Sequence, residues 1–319
     1  MPKFFVVGDV TVDQMYFVSE LPEPGGEVSA SRAMMEPGGA GGTIATALAW
    51  LGNEVLLAAR VGTGPFAELA LRRVTEAGVE SRLVQRDKDV QTSSVTLLIT
   101  PDTERTMISV GGASRNLDAA ELRADDVAAC DALVMSAYSL MGGLQREYAV
   151  RALEAARAAR LTTFIDMGSG AVNALRGRLI SLVREVDYLL MNQRELYTLT
   201  GHTSISDAVV GLAEHGIKRV IVKVGEMGSI VITPELTELV DPFVVDGIVD
   251  STGAGDCYTA AFAHGIMQGY DLQYAAKLGN IAGALSATVV GAQRYHLDAG
   301  AIEGYTKSMS MTVLQGVKI

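Results

Sequence analysis

Short apolar runs rich in β-branched residues alternate with Ala/Leu-rich stretches along almost the whole chain, and this rhythm constrains the fold more than any other feature of the sequence. The extended runs are Phe4–Val7, Val55–Val61, Ala132–Ser136, Thr162–Ile165, Tyr188–Leu190, Val220–Val224 and Ser229–Ile232. They are near-continuously apolar rather than alternating, so each strand must be covered on both faces. Between them the spacing predicts helices over Gly42–Leu51, Ala67–Ala77, Gln145–Ala159, Asn192–Thr200, Ser206–His215, Gly255–Gln268 and Leu272–Val290. In the last of these, Leu272, Ala275, Leu278, Ala282, Leu285 and Val289 form one stripe of helical period. The expectation is a single α/β domain over residues 1–319, built on a mainly parallel sheet with helices on both faces.

Two stretches do not fit a βα unit. Val12–Ala33 holds Pro22, Pro24, Gly25 and Gly26 between extended segments, and Thr92–Val110 reads as a hairpin turning at Pro101-Asp102. Both alternate like strands with one face exposed, so the segments at about 13–35 and 92–110 are expected either to form a small accessory sheet acting as a lid, or to be ordinary surface hairpins.

Composition narrows the function. With 26 Lys+Arg against 37 Asp+Glu the formal charge is −11, which argues against phosphate-backbone binding and so against a nucleic-acid coat. No apolar run reaches the ~18 residues of a membrane span, and Asp9 interrupts the first apolar run before a signal-peptide core forms, so a cytoplasmic protein is expected. Cys130 and Cys257 are too few for a disulfide framework or a thiolate zinc site, and His202, His215, His264 and His296 lack ligand spacing. Glycine, at 34 of 319 residues, is clustered between apolar runs, where backbone must turn sharply or approach a ligand.

The most informative cluster is Asp250-Ser251-Thr252-Gly253-Ala254-Gly255-Asp256, placed after an extended segment (Phe243–Val249) and opening a helix. Glycines there allow successive N–H groups to converge, and the helix N-terminus adds positive partial charge, so the turn suits an anion. Asp256 would repel a phosphate but can accept a proton from a hydroxyl attacking phosphorus. The plainer alternative is an acid in the first turn of a helix after a tight turn.

The heptapeptide resembles the C-terminal signature of the ribokinase/PfkB family of carbohydrate kinases, and other landmarks fall in that family's order over roughly residues 3 to 295. Gly8-Asp9-Val10-Thr11-Val12-Asp13 resembles its opening strand with the sugar-binding acid. Gly38-Gly39-Ala40-Gly41-Gly42-Thr43 resembles its N-terminal glycine signature, Asn192-Gln193-Arg194-Glu195 its NxxE motif, and Lys223-Val224-Gly225-Glu226-Met227-Gly228 its KxGxxG nucleotide turn. The resemblance implies a ribokinase-like three-layer fold, ATP and Mg²⁺, and phosphorylation of a hydroxyl on a small sugar. Asp256 would be the general base, with the N–H groups of Ala254, Gly255 and Asp256, after Gly253, holding the transferring group.

Asp13, Gly38, Gly39, Gly41, Gly42 and Thr43 would hold the acceptor. Asn192 and Glu195, one helical turn apart, would hold hydrated Mg²⁺, or form a capping box, or both. Lys223, Gly225, Gly228, Thr252 and Asn280 would lie along the nucleotide. The resemblance further implies a potassium-like monovalent cation at Asp250 and Thr252, with carbonyls near Val290-Gly291, and a homodimer through lid strands.

The chain departs from the family pattern on the acceptor side. Thr43 stands where many sugar kinases have Asn, Thr63-Gly64-Pro65 where an acid is common, and Asp166-Met167-Gly168 where relatives have Asp-x-Asn. Tyr138 falls at a family acidic contact, so it either stacks on a sugar or base face or packs in the core. The acceptor therefore stays open between sugars and nucleosides, with a non-catalytic sensor as the third alternative; retention of Asp256 argues against the sensor. Gly62–Ala67 formally fits GxGxxA, but Pro65 removes a needed N–H and the motif follows the second main strand. No GxxxxGK[ST] occurs. Met34-Met35, Met309 and Met311 are read as gap fillers.

Overall fold

The computed structural model describes residues 1–102, 105–309 and 311–313. The chain opens with β1 (Lys3–Val7), runs out into β2 (Thr11–Val18) and β3 (Ala30–Gly38), and returns through α1 (Ala40–Trp50), β4 (Glu54–Val61), α2 (Pro65–Glu76) and β5 (Glu80–Arg86). A second excursion, β6 (Ser94–Ile99) and β7 (Arg105–Val110), precedes α3 (Ala124–Ala128), β8 (Ala132–Ser136), α4 (Gly143–Ala158) and β9 (Thr162–Asp166). There follow α5 (Ser169–Leu175), α6 (Gly177–Val183), β10 (Tyr188–Asn192), α7 (Gln193–Thr200), α8 (Ile205–Glu214) and β11 (Val220–Lys223). The chain then runs through β12 (Ser229–Ile232), β13 (Thr237–Val240), α9 (Ala254–Met267), α10 (Leu272–Ser286), α11 (Ala299–Tyr305) and β14 (Met311–Val313).

The main sheet has the order β14-β13-β12-β11-β10-β9-β8-β1-β4-β5. Its strands are parallel from β11 to β5 and antiparallel from β11 to β14. Both faces are covered, as the unbroken apolar runs require. Along β1, Phe4 and Val6 pack with Ile44, Leu48 and Phe262 on one side, while Phe5 and Val7 pack with Leu117, Tyr148 and Leu153 on the other. Successive side chains thus enter two separate cores, which is the physical reason the strand has no polar position from Phe4 to Val7.

The two excursions form a separate four-stranded sheet in the order β3-β2-β6-β7, so they are an accessory sheet rather than independent hairpins. Its root is tied to the body: buried Glu36 of β3 accepts from Arg72 of α2 at 3.1 Å and from Arg294 at 3.2 Å. At Gly62 the N–H goes to Thr92 Oγ1 at 3.1 Å, so the GxGxxA look-alike is spent on holding the second excursion.

Two expected elements differ. The helix read over Leu272–Val290 stops at Ser286, because the carbonyl of Ala287 turns to accept from the N–H groups of Val249 and Asp250 at 2.9 and 3.2 Å. Those bonds hold the approach to the anion turn, and Phe243–Val249, expected to be extended, carries no strand. Of the elements not anticipated, β5 is a half-exposed edge strand and α5 and α6 are short pieces divided at Arg176, whose φ is 46°.

Candidate active site

In an open parallel sheet, side chains that follow the carboxyl ends of adjacent strands converge. Here β1, β8, β9, β10 and β11 deliver Asp9, Tyr138, Asp166, Asn192 and Lys223 to one edge. Opposite them lie the amino ends of α1 and α9. Neither helix has a side-chain N-cap, but in α1 the Gly42 N–H is taken by the Asp9 carbonyl at 3.1 Å, so the free first-turn N–H groups at that edge belong to α9.

The turn before α9 is tightly built. Asp250 Oδ1 accepts from the N–H of Thr252 at 2.9 Å and its hydroxyl at 2.6 Å, while Oδ2 accepts from the Gly291 N–H at 2.8 Å. Gly253 has φ 77°, and a Cβ there would come within 2.6 Å of Ala292 Cβ, so both backbone and packing demand glycine. The N–H of Ala254 closes the turn on the Ser251 carbonyl at 3.2 Å. This corrects the expected donor set: Gly255 and Asp256 are the members left to meet an anion.

Asp256 sits in the first turn of α9, partly open to solvent yet densely surrounded. Its carboxyl is raised well above the usual carboxylate range, first by burial and then by the charge of Asp166, with Lys223 opposing and Asp9 and Glu195 adding. Beneath it Lys223 Nζ donates to Asp166 Oδ1 at 2.6 Å and to the Gly255 carbonyl at 3.3 Å. Burial raises Asp166 against the pull of Lys223. Burial also depresses Lys223, but the carboxylates of Asp166, Glu195 and Asp256 together lift it above its ordinary value, so it stays an ammonium. The Lys223 side chain therefore lies under the turn, bonded to Asp166 and Gly255, whereas the KxGxxG resemblance placed it only along the nucleotide.

Asp13 lies on β2, opposite Glu36, and accepts from the Thr11 hydroxyl at 2.8 Å. Burial pushes its carboxyl up to about 7, with Asp9 and Asp250 adding to the rise against the Thr11 bond. A Cβ on Gly38 would run into this carboxylate. Gly39 caps α1, and Gly41 and Gly42 lie in its first turn, so these glycines bring helix backbone to the same edge. Thr43 is buried, with the Gln293 amide 3.4 Å from its hydroxyl; Gln293 also donates to the Gly38 carbonyl at 3.2 Å. Thr43 is thus placed on Gln293 rather than on the open cleft.

Tyr138 packs its ring on Gly168 and Gly170 and accepts from the Gly170 N–H at 3.4 Å. Burial, then the charges of Asp9, Glu195 and Asp256 against the Gly170 bond, push its hydroxyl up to about 12. The packing alternative therefore accounts for most of the ring, although part stays open.

Asn192 and Glu195 form a full capping box: Asn192 Oδ1 accepts from the Glu195 N–H at 2.8 Å, and Glu195 Oε2 from the Asn192 N–H at 2.9 Å. Glu195 Oε1 accepts from the Ser169 hydroxyl at 2.8 Å. With one donor already on each carboxylate oxygen, Glu195 fits a magnesium held through water rather than directly. Among the described residues no group of three or more His, Cys, Asp or Glu could hold a metal ion by itself.

Farther along the edge, Asn280 donates to the carbonyls of Val240 and Asp241 at 3.1 and 3.0 Å. Gly228 backs onto the same 240–242 segment, and Gly225 opens the turn between β11 and β12. Asn280 and Gly228 therefore shape one wall, with the Asn280 amide spent on backbone.

Asp9 and Asp166 lie in stretches that the sequence singled out but were given no role in the site, and Gln293 and Arg105 were not singled out at all. The Asp166 signal was present: a lone Lys ending the apolar strand VIVK needs a carboxylate, and β9 ends in Asp at the same edge. Arg105 of β7 donates to Thr252 Oγ1 at 2.8 Å. No local pattern reports such a contact across 147 residues.

Known proteins of the same shape give this edge its context. The chain is 26% identical over 295 residues to a deoxyribokinase of Salmonella typhi, covering 90% of this chain and 93% of that protein. It superposes on Arabidopsis thaliana ribokinase complexed with ribose and ATP with a TM-score of 0.83 at 24% identity, covering 96% of this chain and 99% of that one. On adenosine kinase from Sinorhizobium meliloti the TM-score is 0.85 at 22% identity, again covering 96% and 99%. A protein of this fold from E. coli has been solved with ATP and Mg²⁺. The family model for pfkB family carbohydrate kinases matches residues 1–298. The chain belongs to the pfkB family of carbohydrate kinases, and it is a phosphotransferase acting on an alcohol group.

Proposed function

We propose that the protein transfers the γ-phosphate of ATP to a hydroxyl of a small carbohydrate, with Asp256 as general base. The observation that carries this reading is the placement of one carboxylate, its pKa raised well above the usual carboxylate range by burial, in the first turn of a helix with no side-chain cap, whose Gly255 and Asp256 N–H groups are free to meet an anion. Asp13 and the helix start after Gly38 and Gly39 hold the acceptor, the Asp13 carboxylate accepting hydrogen bonds from its hydroxyls. Asp256 then takes the proton as the acceptor oxygen attacks phosphorus. The N–H groups of Gly255 and Asp256 meet the charge on the transferring phosphoryl oxygens, and Lys223 beneath them adds positive potential. Glu195, with Asn192, is the group to which Mg²⁺ bound to the triphosphate would attach through water; the ion would offset phosphate charge.

The accessory sheet serves as a lid that excludes water from this cleft. Its outer strand β7 exposes Met107, Ile108 and Val110 at 59, 60 and 58%, an apolar edge suited to pairing with a second copy, which supports a homodimer. Ile108→Glu is expected to yield a monomer in sedimentation velocity; an unchanged wild-type dimer in that variant would place the interface elsewhere. No helix among the described residues is long and apolar enough to cross a membrane. We place the enzyme in the cytoplasm, where ATP is supplied.

The test is ATP consumption by purified protein against pentoses, hexoses, sugar acids and nucleosides with Mg²⁺. Turnover with a sugar supports the reading; turnover confined to nucleosides replaces the acceptor class, and AMP-PNP binding without turnover on any acceptor favours a sensor. For the acceptor found, Asp13→Ala is expected to raise KM by about tenfold or more while changing kcat less, since a lost bond to a charged group costs ~1.5–3 kcal/mol. An unchanged acceptor KM would remove Asp13 from the site.

A further inference from the structure

Beside the anion turn, the lid contributes a charge that the kinase reading does not use. Arg105 opens β7, paired with Ile99 of β6, and its guanidinium crosses to the body. Nη1 donates to Thr252 Oγ1 at 2.8 Å and lies 3.8 Å from Asp250 Oδ1. The Thr252 hydroxyl passes the polarity on, donating to Asp250 Oδ1 at 2.6 Å. The Asp250 side chain is 4% exposed, and the hollow around the pair is walled mainly by Phe17, Ile99, Ile248, Val249 and Val290, with Ser251 as its further polar member. In such apolar surroundings a charge counts for more than on an open surface.

Asp250 and Thr252 are also where the family resemblance implies potassium. With Arg105 in place, the oxygens do not suit that ion. Asp250 already takes the N–H and O–H of Thr252 and the N–H of Gly291, so at the 290–291 loop the carboxylate meets a donor. The Thr252 hydroxyl lies between a carboxylate and a guanidinium, and a second cation there would face Arg105, whose charge is permanent.

We propose that Arg105 is a positioning residue whose guanidinium, delivered by the lid sheet, supplies the positive charge at Asp250 and Thr252, so that the anion turn is ordered without a monovalent cation. Because the charge rides on the lid, ordering of the phosphate-binding turn is coupled to lid position. The turn is complete only when β7 lies over it, which ties triphosphate binding to closure over the acceptor.

The inference rests on the ATP-using reading, and its test is independent of which acceptor is used. Calorimetric titration of AMP-PNP with Mg²⁺ is run in KCl and in N-methyl-D-glucamine chloride at equal ionic strength, on wild type, Arg105→Met and Arg105→Lys. Wild-type affinity is expected to agree within about twofold in the two salts, Arg105→Met to lose about tenfold in the glucamine salt, and Arg105→Lys to keep most of the affinity. Potassium restoring Arg105→Met would support the proposal further, as a small cation entering the vacated place. Severalfold tighter wild-type binding in potassium, Arg105→Met binding like wild type, or Arg105→Lys falling as far as Arg105→Met would each overturn it. Wild type that binds no AMP-PNP in either salt would remove the ATP-using reading along with it.

Discussion

Asp256→Asn is expected to lower kcat by ~10²–10⁴ while the affinity for ATP stays near wild type. The amide keeps the shape of the carboxylate and leaves the N–H groups of Gly255 and Asn at the start of α9, so the phosphate cradle survives and only the proton acceptor is lost. The raised carboxyl also sets the pH dependence. Below its pKa Asp256 is protonated and cannot accept a proton, so kcat/KM should fall with decreasing pH through a midpoint above the ordinary carboxylate range. The same shift separates chemistry from folding. A carboxyl whose folded pKa is raised binds more protons folded than unfolded, so its contribution to stability is present below about 3.8 and is lost as pH climbs through the folded value. The Asn variant should therefore melt higher than wild type at pH 8, with the difference shrinking toward pH 4. A variant with normal turnover would remove Asp256 as the base, whereas an inactive variant that melts lower at pH 8 would point to damage rather than a missing base.

Periodicity exposed the parallel strands because a strand buried on both faces has no choice but to be apolar throughout, as Phe4, Phe5, Val6 and Val7 show by entering two cores. It missed β5, whose Glu80-Ser-Arg-Leu-Val-Gln-Arg edge faces solvent, and it overran α10, because Thr288, Val289 and Val290 read as helical while the Ala287 carbonyl is needed by Val249 and Asp250. At the site, the anion turn was legible since its function requires a local run: Asp250 binds Thr252, and Gly253 must adopt a positive φ. The capping box at Asn192 and Glu195 was legible for the same reason. Contacts between distant segments left no such trace. Gln293 on Gly38 and Arg105 on Thr252 are matters of how two sheets and a loop are laid together. Asp166 lies between these cases. Its partner Lys223 announces a buried charge, but only the register of β9, β10 and β11 brings the two side by side.

That pair should carry the largest effect on stability. Lys223→Met leaves the Asp166 carboxylate, whose side chain is 6% exposed, without the ammonium 2.6 Å away, and breaking a buried pair on one side costs ~3–5 kcal/mol. Urea unfolding at pH 7 is expected to show a loss of that order. Asp166→Asn alone should cost less, since Lys223 keeps the fields of Glu195 and Asp256. The double variant should recover part of the Lys223→Met loss, because a neutral amide needs no counter-charge. A structural pair would end there, but Lys223 also favours the ionised form of Asp256 and holds the Gly255 carbonyl. Without it, the Asp256 carboxyl rises further, so the acid limb of kcat/KM should move to higher pH in Lys223→Met. Removing the Asp166 charge has the opposite sign, and Asp166→Asn should move that limb to lower pH. If both variants leave the limb where it stands in wild type, the pair supports the fold alone and the base is tuned by burial.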